Sequence, residues 1–307
     1  MLFLLAFALA AALAAGLAVV LKAHHTAIRV GRAFGRRAVG SDGIVPGAQP
    51  IELSHGADSP ALLLLHGGGD TPQTLGYLAT YLHARGYSIR APLLPGHGRR
   101  IEHFTRVSAA EWLGAARANY QDLRDRHAWV GVIGLSMGGA LAVQLAADHP
   151  ELPALTLLAP YLSMPREVAL AAWLAPLWGF AVPYVRSLDP TARRSIKDPE
   201  EDRRNLAYGV FTPAALRALR TTVVRAFSLL PRVTAPTLMV QSREDNRISP
   251  SNAQRAFDRL GAREKELVWI EGAAHVITVD YGREHVFETV GRWLESHGAL
   301  RRGRVQA

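Results

Sequence analysis

From about residue 51 onward the chain alternates short apolar runs with longer segments of helical periodicity. Continuous apolar runs indicate strands buried on both faces, and apolar positions three and four residues apart indicate helices packed on one side. The predicted strands are residues 61–65, 87–94, 129–134, 155–159, 237–240 and 266–270. The predicted helices are residues 74–85, 108–127, 138–148, 251–260 and 285–297. This alternation predicts an α/β fold with a mostly parallel sheet covered by helices.

One stretch interrupts the alternation between the strand ending near Ala159 and the strand starting near Thr237. A right-handed crossover between parallel strands needs one helix. Here three segments have helical patterns, residues 166–177, 199–208 and 213–229. We therefore expect residues 161–232 to form a helical cap inserted into a main domain that spans residues 51–300.

The first part of the predicted cap is rich in large apolar side chains, among them Trp173, Trp178 and Phe180. Such residues either pack a cap onto the main domain or line an apolar pocket, because both environments use the same residue types. Both interpretations stay open at this point. The second makes these three residues candidates for substrate binding.

The most apolar segment lies at the N-terminus, where residues 2–21 form an unbroken apolar run of 20 residues. A helix of that length rises about 30 Å, enough to cross the hydrocarbon core of a bilayer. A cleaved signal peptide normally has a basic start and a shorter apolar stretch, and no Lys or Arg precedes this run. We expect residues 1–21 to be an uncleaved transmembrane anchor. Export after signal cleavage is the alternative.

Charge changes this picture mainly near the termini. The net charge is +9, of which residues 22–40 supply +5 and residues 301–307 supply +3. The nearly neutral remainder lacks the broad basic surface that nucleic-acid binding needs. We interpret residues 22–50 as a basic juxtamembrane segment and linker that meets anionic lipid headgroups, and residues 301–307 as a basic tail. The positive-inside rule then places the main domain in the cytoplasm.

The sharpest chemical signal is the sequence Gly-Leu-Ser-Met-Gly at residues 134–138. Gly-x-Ser-x-Gly is a weak motif alone, but here it follows a predicted strand and opens a predicted helix, as a nucleophile elbow requires. Such a turn lifts the Ser136 hydroxyl off the strand end. It also aims the Met137 N–H and the helix N-terminus at one point, where negative charge is stabilised. The chain has no Cys, which excludes a thiolate nucleophile and Cys-ligated metal sites.

A serine nucleophile needs a base, and the base needs a carboxylate to orient it. His275 is the predicted base, because it follows the last strand in a loop at the carboxyl edge of the sheet. His66 and His97 lie in Gly-rich loops, which we expect them to organise by hydrogen bonding. Asp245 is favoured over Glu244 as the acid, because a shorter side chain holds one geometry better. Glu244 is expected to be an exposed charge paired with an Arg.

At these residues the chain resembles the α/β-hydrolase superfamily, in which nucleophile, acid and base follow in the order of Ser136, Asp245 and His275. It is most similar in pattern to compact bacterial carboxylesterases and monoacylglycerol lipases, from about residue 51 to residue 297. Four segments carry the resemblance: LLLLHGGGDTPQTLGYLATYLHARGYSIRAPLLPGHG, GLSMGG, APTLMVQSREDNRISP and GAAHVITVDYGREHVFETVGRWL. The cap matches least, and the N-terminal anchor is not part of the family pattern.

The resemblance implies that the backbone N–H groups of Gly68 and Met137 form an oxyanion hole. The family often has a bulky residue at position 68, so the glycines of this loop leave the donor open as Gly68, Gly69 or both.

The resemblance also implies a serine carboxylic-ester hydrolase that works through an acyl-enzyme, without a metal or organic cofactor. The apolar cap and the anchor suggest lipid-like esters such as monoacylglycerols or lysophospholipids. The same triad would serve an acyltransferase, a thioesterase or a carbon–carbon hydrolase, and a non-catalytic membrane-tethered scaffold is a further alternative.

Overall fold

A computed structural model describes residues 21–22, 24–185 and 195–298 of the chain. Within these residues seven strands form a single sheet: β1 (Ile51–Leu53), β2 (Ala61–Leu65), β3 (Ser88–Ala91), β4 (Val130–Leu135), β5 (Leu155–Leu158), β6 (Thr237–Ser242) and β7 (Lys265–Ile270). Their order across the sheet is β1-β3-β2-β4-β5-β6-β7. The edge strand β1 pairs antiparallel with β3, and the other pairs are parallel. The predicted mostly parallel sheet is therefore confirmed.

Helices cover both faces of this sheet. Their bounds are α1 (24–35), α2 (Gly76–His83), α3 (Ala109–Arg124), α4 (Met137–Asp148), α5 (Arg166–Trp173), α6 (Ala175–Trp178), α7 (Pro199–Arg204), α8 (Pro213–Leu229), α9 (Pro250–Asp258) and α10 (Arg283–Ser296). Side chains alternate between the two faces of a strand. In β2, accordingly, Leu63 and Leu65 join one apolar cluster with α3, α4 and α8, whereas Leu62 and Leu64 join a second cluster with α2 and α10.

The central strand and the helix after it are the most buried part of the fold. All six residues of β4 are buried, as are eleven of the twelve residues of α4. The neighbouring helix α3 begins at Ser108, whose side chain accepts the Glu111 N–H while the Glu111 carboxylate accepts the Ser108 N–H. This is the capping box that the sequence predicts. The turn between β4 and α4 therefore joins two almost completely buried elements.

The segment between β5 and β6 forms helices α5 to α8. The helix predicted over 166–177 divides at Leu174 into α5 and α6, and Pro176 lies in the first turn of the second helix. Proline has no N–H with which to continue the hydrogen bonds of the preceding turn. Helix α8 has the predicted bounds and packs against α4. Residues 186–194 lie outside the described part, and the division into cap and main domain stays a prediction.

Helix α1 belongs to the segment that the sequence suggested was a juxtamembrane linker. Ala27 is almost fully buried in the apolar cluster of α3, α4 and α8. Phe34 meets the Tyr208 ring edge-on, with ring centres 5.6 Å apart. At Gly31 an added Cβ would lie 2.5 Å from the Tyr184 ring, so helix and ring approach as closely as a glycine allows. Helix α1 is therefore packed on the folded body.

The predicted anchor, residues 1–21, and the basic tail, residues 301–307, lie outside the described residues except for Leu21. A search of residues 21–22, 24–185 and 195–298 finds no helix with the length and apolar character needed to span a bilayer.

Candidate active site

Ser136 occupies the turn between β4 and α4 with a strained backbone. Its φ of 55° lies in the left-handed region that residues with a side chain rarely adopt. The turn requires glycine on both sides. An added Cβ would lie 2.4 Å from the Gly138 carbonyl oxygen at Gly134, and 2.0 Å from the Leu65 carbonyl oxygen at Gly138. The Gly-x-Ser-x-Gly spacing thus follows from close backbone contacts, and the turn holds the Ser136 side chain at the helix N-terminus.

The structure brings together the three residues that the sequence predicts as nucleophile, base and acid. The Ser136 Oγ lies 2.8 Å from His275 Nε2, and His275 Nδ1 lies 2.8 Å from Asp245 Oδ2. His275 and Asp245 are 6% and 8% exposed, so water screens little of their interaction. With the ring proton on Nδ1 donated to Asp245, Nε2 accepts the Ser136 hydroxyl proton. This arrangement can activate a serine as a nucleophile.

Asp245 is held ionised by its surroundings. Burial alone would raise the pKa of this carboxyl, but His275 and the Arg247 and Ile248 N–H groups outweigh burial and lower the pKa. Arg247 and Ile248 donate to Oδ1 at 2.7 and 3.0 Å, and the Gln241 amide donates to Oδ2 at 2.7 Å. These bonds fix the carboxylate toward the imidazole. The sequence carried no motif that would have identified Gln241.

Glu244 takes no part in this line of hydrogen bonds. Its carboxylate pairs with the Lys197 ammonium and accepts the Gly272 N–H at 2.7 Å. Both contacts lower the pKa of Glu244, the Lys197 contact most. The expectation of an exposed charge is right, but the expected Arg partner is wrong. Lys197 reaches it because the segment just before α7 runs along the loop that carries His275.

Two buried histidines shape the glycine loop, as the sequence predicts. His97 accepts the Gly69 N–H on Nε2 at 2.9 Å and donates from Nδ1 to the Pro95 carbonyl at 3.0 Å. His66 accepts the Leu94 N–H on Nε2 at 3.1 Å. Burial lowers the pKa of His97 to about 4 and that of His66 well below its ordinary value. Both rings are therefore neutral near pH 7 and able to accept these backbone protons.

These contacts favour Gly68 over Gly69 as the oxyanion donor of the glycine loop. The Gly69 N–H is already used by His97. Among the described residues, no protein acceptor is found for the Gly68 N–H. A Cβ on Gly68 would lie 3.2 Å from the Met137 sulfur and 3.4 Å from the Phe211 ring. Those two side chains fill the space next to Gly68, so a larger residue at this position would require them to shift.

Asp70 is a buried carboxyl beside the site that the sequence interpretation missed. A Cβ on Gly67 would lie 3.4 Å from the Ser136 Cβ and 3.8 Å from Asp70 Oδ2, so both side chains border the space beside Gly67. Asp70 accepts the Thr71 N–H at 2.8 Å and the Thr74 hydroxyl at 3.0 Å. Burial raises the pKa of Asp70 to about 6, against the opposing effect of these bonds and of His275.

Asp280 is a second buried carboxylate outside any motif, and it is 1% exposed. It accepts four backbone N–H groups, from Ala274 at 2.6 Å, Lys197 at 2.9 Å, Asp198 at 3.0 Å and Tyr281 at 2.9 Å. The first belongs to the loop that carries the base, and the next two to the segment before α7. Asp280 therefore ties that segment to the loop that carries the base.

The three aromatic residues predicted to bind substrate differ in their positions. Trp173 is 61% exposed and Phe180 is 88% exposed, so both lie mainly in solvent in this conformation. Trp178 is partly buried, and its indole N–H donates to the Ala171 carbonyl at 2.9 Å. None of the three is a hydrogen-bond or ring partner of the Ser136–His275–Asp245 group among the described residues. Their contact with an acyl chain stays a prediction.

Comparison with known proteins gives a consistent set of relatives. Residues 57–281 match the family Hydrolase_4, described as serine aminopeptidase, S33. The chain is 30% identical over 254 residues to the thermostable monoacylglycerol lipase of Bacillus sp. (strain H-257), covering 83% of this chain and 97% of the relative. It is 27% identical over 237 residues to a carboxylesterase of Bacillus subtilis (strain 168), covering 76% and 92%. A solved structure from work on LipS and LipT, two metagenome-derived lipolytic enzymes, has a TM-score of 0.75 and 31% identity over 83% of this chain and 100% of that chain.

Proposed function

Because the chain belongs to the Hydrolase_4 family of α/β-hydrolases and is a serine ester hydrolase, we propose that Ser136, His275 and Asp245 are its catalytic triad. The α/β-hydrolase fold and the esterase or lipase class expected from the sequence are confirmed by the same comparisons. The observation that carries the triad is the line of two 2.8 Å hydrogen bonds from Ser136 Oγ through His275 to Asp245.

The first half-reaction forms an acyl-enzyme. His275 Nε2 takes the Ser136 hydroxyl proton while Oγ bonds to the ester carbonyl carbon, whose π electrons move onto the oxygen. The Gly68 and Met137 N–H groups donate to this oxyanion, and the N-terminus of α4 adds its positive dipole end. His275 then gives its proton to the leaving alcohol oxygen as the ester bond breaks. Asp245 keeps the ring in one tautomer and stabilises the imidazolium.

The second half-reaction releases the acid. His275 removes a proton from water, the hydroxyl attacks the acyl carbon, and the oxyanion forms again at the same two N–H groups. Collapse returns the electrons to the carbonyl and breaks the bond to Ser136, which recovers its proton from His275. The products are a carboxylic acid and a free enzyme.

The substrates that we propose are apolar or lipid-like esters of the monoacylglycerol or lysophospholipid type. Support comes from the Phe211 and Met137 side chains next to Gly68, which are apolar where an acyl group would meet the oxyanion hole. Relatives named monoacylglycerol lipase and carboxylesterase point the same way. Trp178, in the predicted cap over residues 161–232, is kept as a candidate acyl contact.

We further propose that residues 2–21 anchor the enzyme in a membrane, with the hydrolase domain on the cytoplasmic side. The proposal rests on the 20 consecutive apolar residues and on the basic residues that follow them. Full-length protein should stay with membranes through a carbonate wash. A mature N-terminus near residue 20 would instead identify a signal peptide.

The triad is tested with a fluorophosphonate probe, which bonds covalently to an activated serine. Wild type should be labelled, and Ser136→Ala should lose both labelling and about 10⁶-fold of its esterase activity. Ser251→Ala, which removes another serine at a helix N-terminus, is the matched control and should keep both. Labelling that persists in Ser136→Ala would show that another residue is the nucleophile. Esters of increasing acyl length then define the substrate class.

A further inference from the structure

Four large apolar side chains are exposed in the short segment that contains α5, α6 and the turn after α6. Leu170, Trp173, Leu177 and Phe180 are 56%, 61%, 71% and 88% exposed. Leu170 and Trp173 lie one turn apart in α5, Leu177 lies in α6, and Phe180 follows the end of α6 by two residues. Water-exposed proteins seldom present contiguous large apolar patches unless the patch binds a partner or a membrane. We name these four residues the apolar stripe.

Helix α1 reaches the fold close to the end of the apolar stripe. Tyr184, four residues after Phe180, packs on Gly31 of this helix. The same side of α1 buries Ala27 and rests Phe34 against Tyr208. These contacts fix α1 to the body beside residues of the predicted cap, Tyr184 and Tyr208.

The free side of α1 is basic. Arg29, Arg32 and Arg36 are exposed and recur at spacings of three and four residues, which places them on one side of the helix. No acidic residue occurs between residues 22 and 40. Anionic headgroups attract such a row, and aromatic and aliphatic side chains insert below the headgroup level. Two copies of this chain meeting on the same surface would instead bring like charges together.

We propose that the apolar stripe and the arginines of α1 form one docking surface for an anionic lipid bilayer. The inference rests on the anchor proposed above, because the anchor supplies the bilayer on which this surface lies. Helix α1 then acts as a rigid support that holds the predicted cap against the membrane. A lipid ester could pass from the membrane toward Ser136 without crossing bulk water.

The chain contains no Cys, so single cysteines can report on chosen positions. Full-length variants Phe180→Cys, Arg32→Cys and His25→Cys are labelled with an environment-sensitive fluorophore in vesicles of phosphatidylcholine and phosphatidylglycerol. Val224→Cys on α8 is the matched control, because Val224 is apolar and 53% exposed. Nitroxide-bearing lipids should quench labels at 25, 32 and 180 and leave 224 bright. Omitting phosphatidylglycerol should weaken quenching at 180.

Each other result overturns the proposal and locates the error. Quenching at 25 with position 180 as bright as position 224 would mean an anchored enzyme whose stripe stays off the membrane. Unquenched labels at positions 25 and 180 would contradict both the proposed anchor and the proposed docking surface. Energy transfer between labels at 180 in separate molecules would mean that a second copy covers the stripe. Fluorophosphonate labelling of every variant reports on the triad separately.

A second measurement guards against local damage by the label. Leu170→Ser combined with Leu177→Ser weakens the stripe at positions outside the catalytic group. Turnover of a vesicle-embedded ester should fall roughly tenfold or more, since the lost burial of a leucine side chain is worth at least that factor. Turnover of a short soluble ester should not change. Equal losses on both substrates would make the two leucines structural and contradict the docking role.

Discussion

At the scale of single residues, Gly68 combines a donor function with a steric limit. Its N–H has no protein acceptor among the described residues, while Met137 and Phe211 fill the space beside its Cα. We expect Gly68→Ala to push the loop away from the oxyanion position. Removal of one oxyanion donor costs about 10²–10³ in kcat, and a displaced donor should lose a substantial part of that.

The measurement is kcat on a short soluble ester. Gly114→Ala is the control, because a Cβ at this exposed position in α3 would meet no atom within 4 Å. It should keep full kcat and gain about 0.5–1 kcal/mol of unfolding free energy, since alanine stabilises a helix interior. A Gly68→Ala variant with unchanged kcat would contradict the assignment of this loop as donor.

The choice between two adjacent carboxylates makes a second prediction at this scale. Asp245→Asn should lower kcat about 10⁴-fold, because an amide favours the wrong tautomer of His275. Glu244→Gln should change kcat little, since Glu244 contacts Lys197 and Gly272 instead. Steady-state kinetics of both variants with one soluble ester decides the matter. Reversed effects would show that the acid has been misassigned.

The residues predictable from the sequence are those that a motif or a loop position marks. Ser136 lies in a motif, and His275 and Asp245 follow strands whose carboxyl ends meet at one edge. Asp70 and Asp280 carry no such mark. Their contacts are formed with backbone N–H groups and hydroxyls in loops, and for Asp280 two of these come from about 80 residues away in sequence. The local sequence pattern does not indicate such contacts.

At the scale of elements, the loop of His275 and the segment before α7 behave as one unit. Asp280 joins them through N–H groups of Ala274, Lys197 and Asp198. Asp280→Asn keeps the shape of the side chain but replaces one accepting oxygen with a donor. We expect a positioning effect, with kcat reduced roughly tenfold or more and the fluorophosphonate labelling rate reduced in parallel.

A purely structural role for Asp280 would lower the melting temperature and leave the kinetics of the folded fraction unchanged. The two readouts are therefore measured on the same samples. Asp258→Asn is the control, because Asp258 is an exposed carboxylate at the end of α9. Unaltered kcat in Asp280→Asn would mean that the base holds its position without this carboxylate.

Predictability of the elements follows their length and burial. The buried strand β4 and the long helix α8 lie where the apolar pattern places them. Strand β1 was missed, because its three residues, two half-buried and one exposed, are too few for an alternating pattern. Helix α1 was missed as a packed element because its contact side uses small residues, Ala27 and Gly31, between arginines. Its charge dominated the interpretation of that segment.

At the scale of the whole molecule, buried ionisable groups determine how stability changes with pH. In the folded state burial lowers the pKa of His97 to about 4 and that of His66 well below its ordinary value. Unfolded histidine binds a proton near pH 6.5. Between about pH 6.5 and 4 the unfolded chain therefore takes up protons that the folded chain refuses, and the free energy of unfolding falls as pH falls.

Asp70 acts in the opposite direction. Its folded pKa of about 6 lies above the value of an unfolded aspartate, so between pH 6 and 4 the folded chain binds the extra proton and gains stability. The effect of the two histidines opposes that of the one carboxyl, so we expect the free energy of unfolding to fall on acidification. For His97 alone, the shift corresponds to about 2 kcal/mol lost between pH 7 and pH 5.

Urea unfolding at pH 7 and pH 5 measures this loss directly. His97→Gln keeps an acceptor for the Gly69 N–H but has no proton to gain, so its loss between the two pH values should be smaller than that of wild type by about 2 kcal/mol. His285→Gln, which removes an exposed imidazole on α10, should keep the wild-type loss. Asp70→Asn should lose more unfolding free energy than wild type between the two pH values, because an amide cannot bind the proton that stabilises the folded wild type. Equal pH dependence in wild type and His97→Gln would mean that the His97 ring does not resist protonation in the folded state.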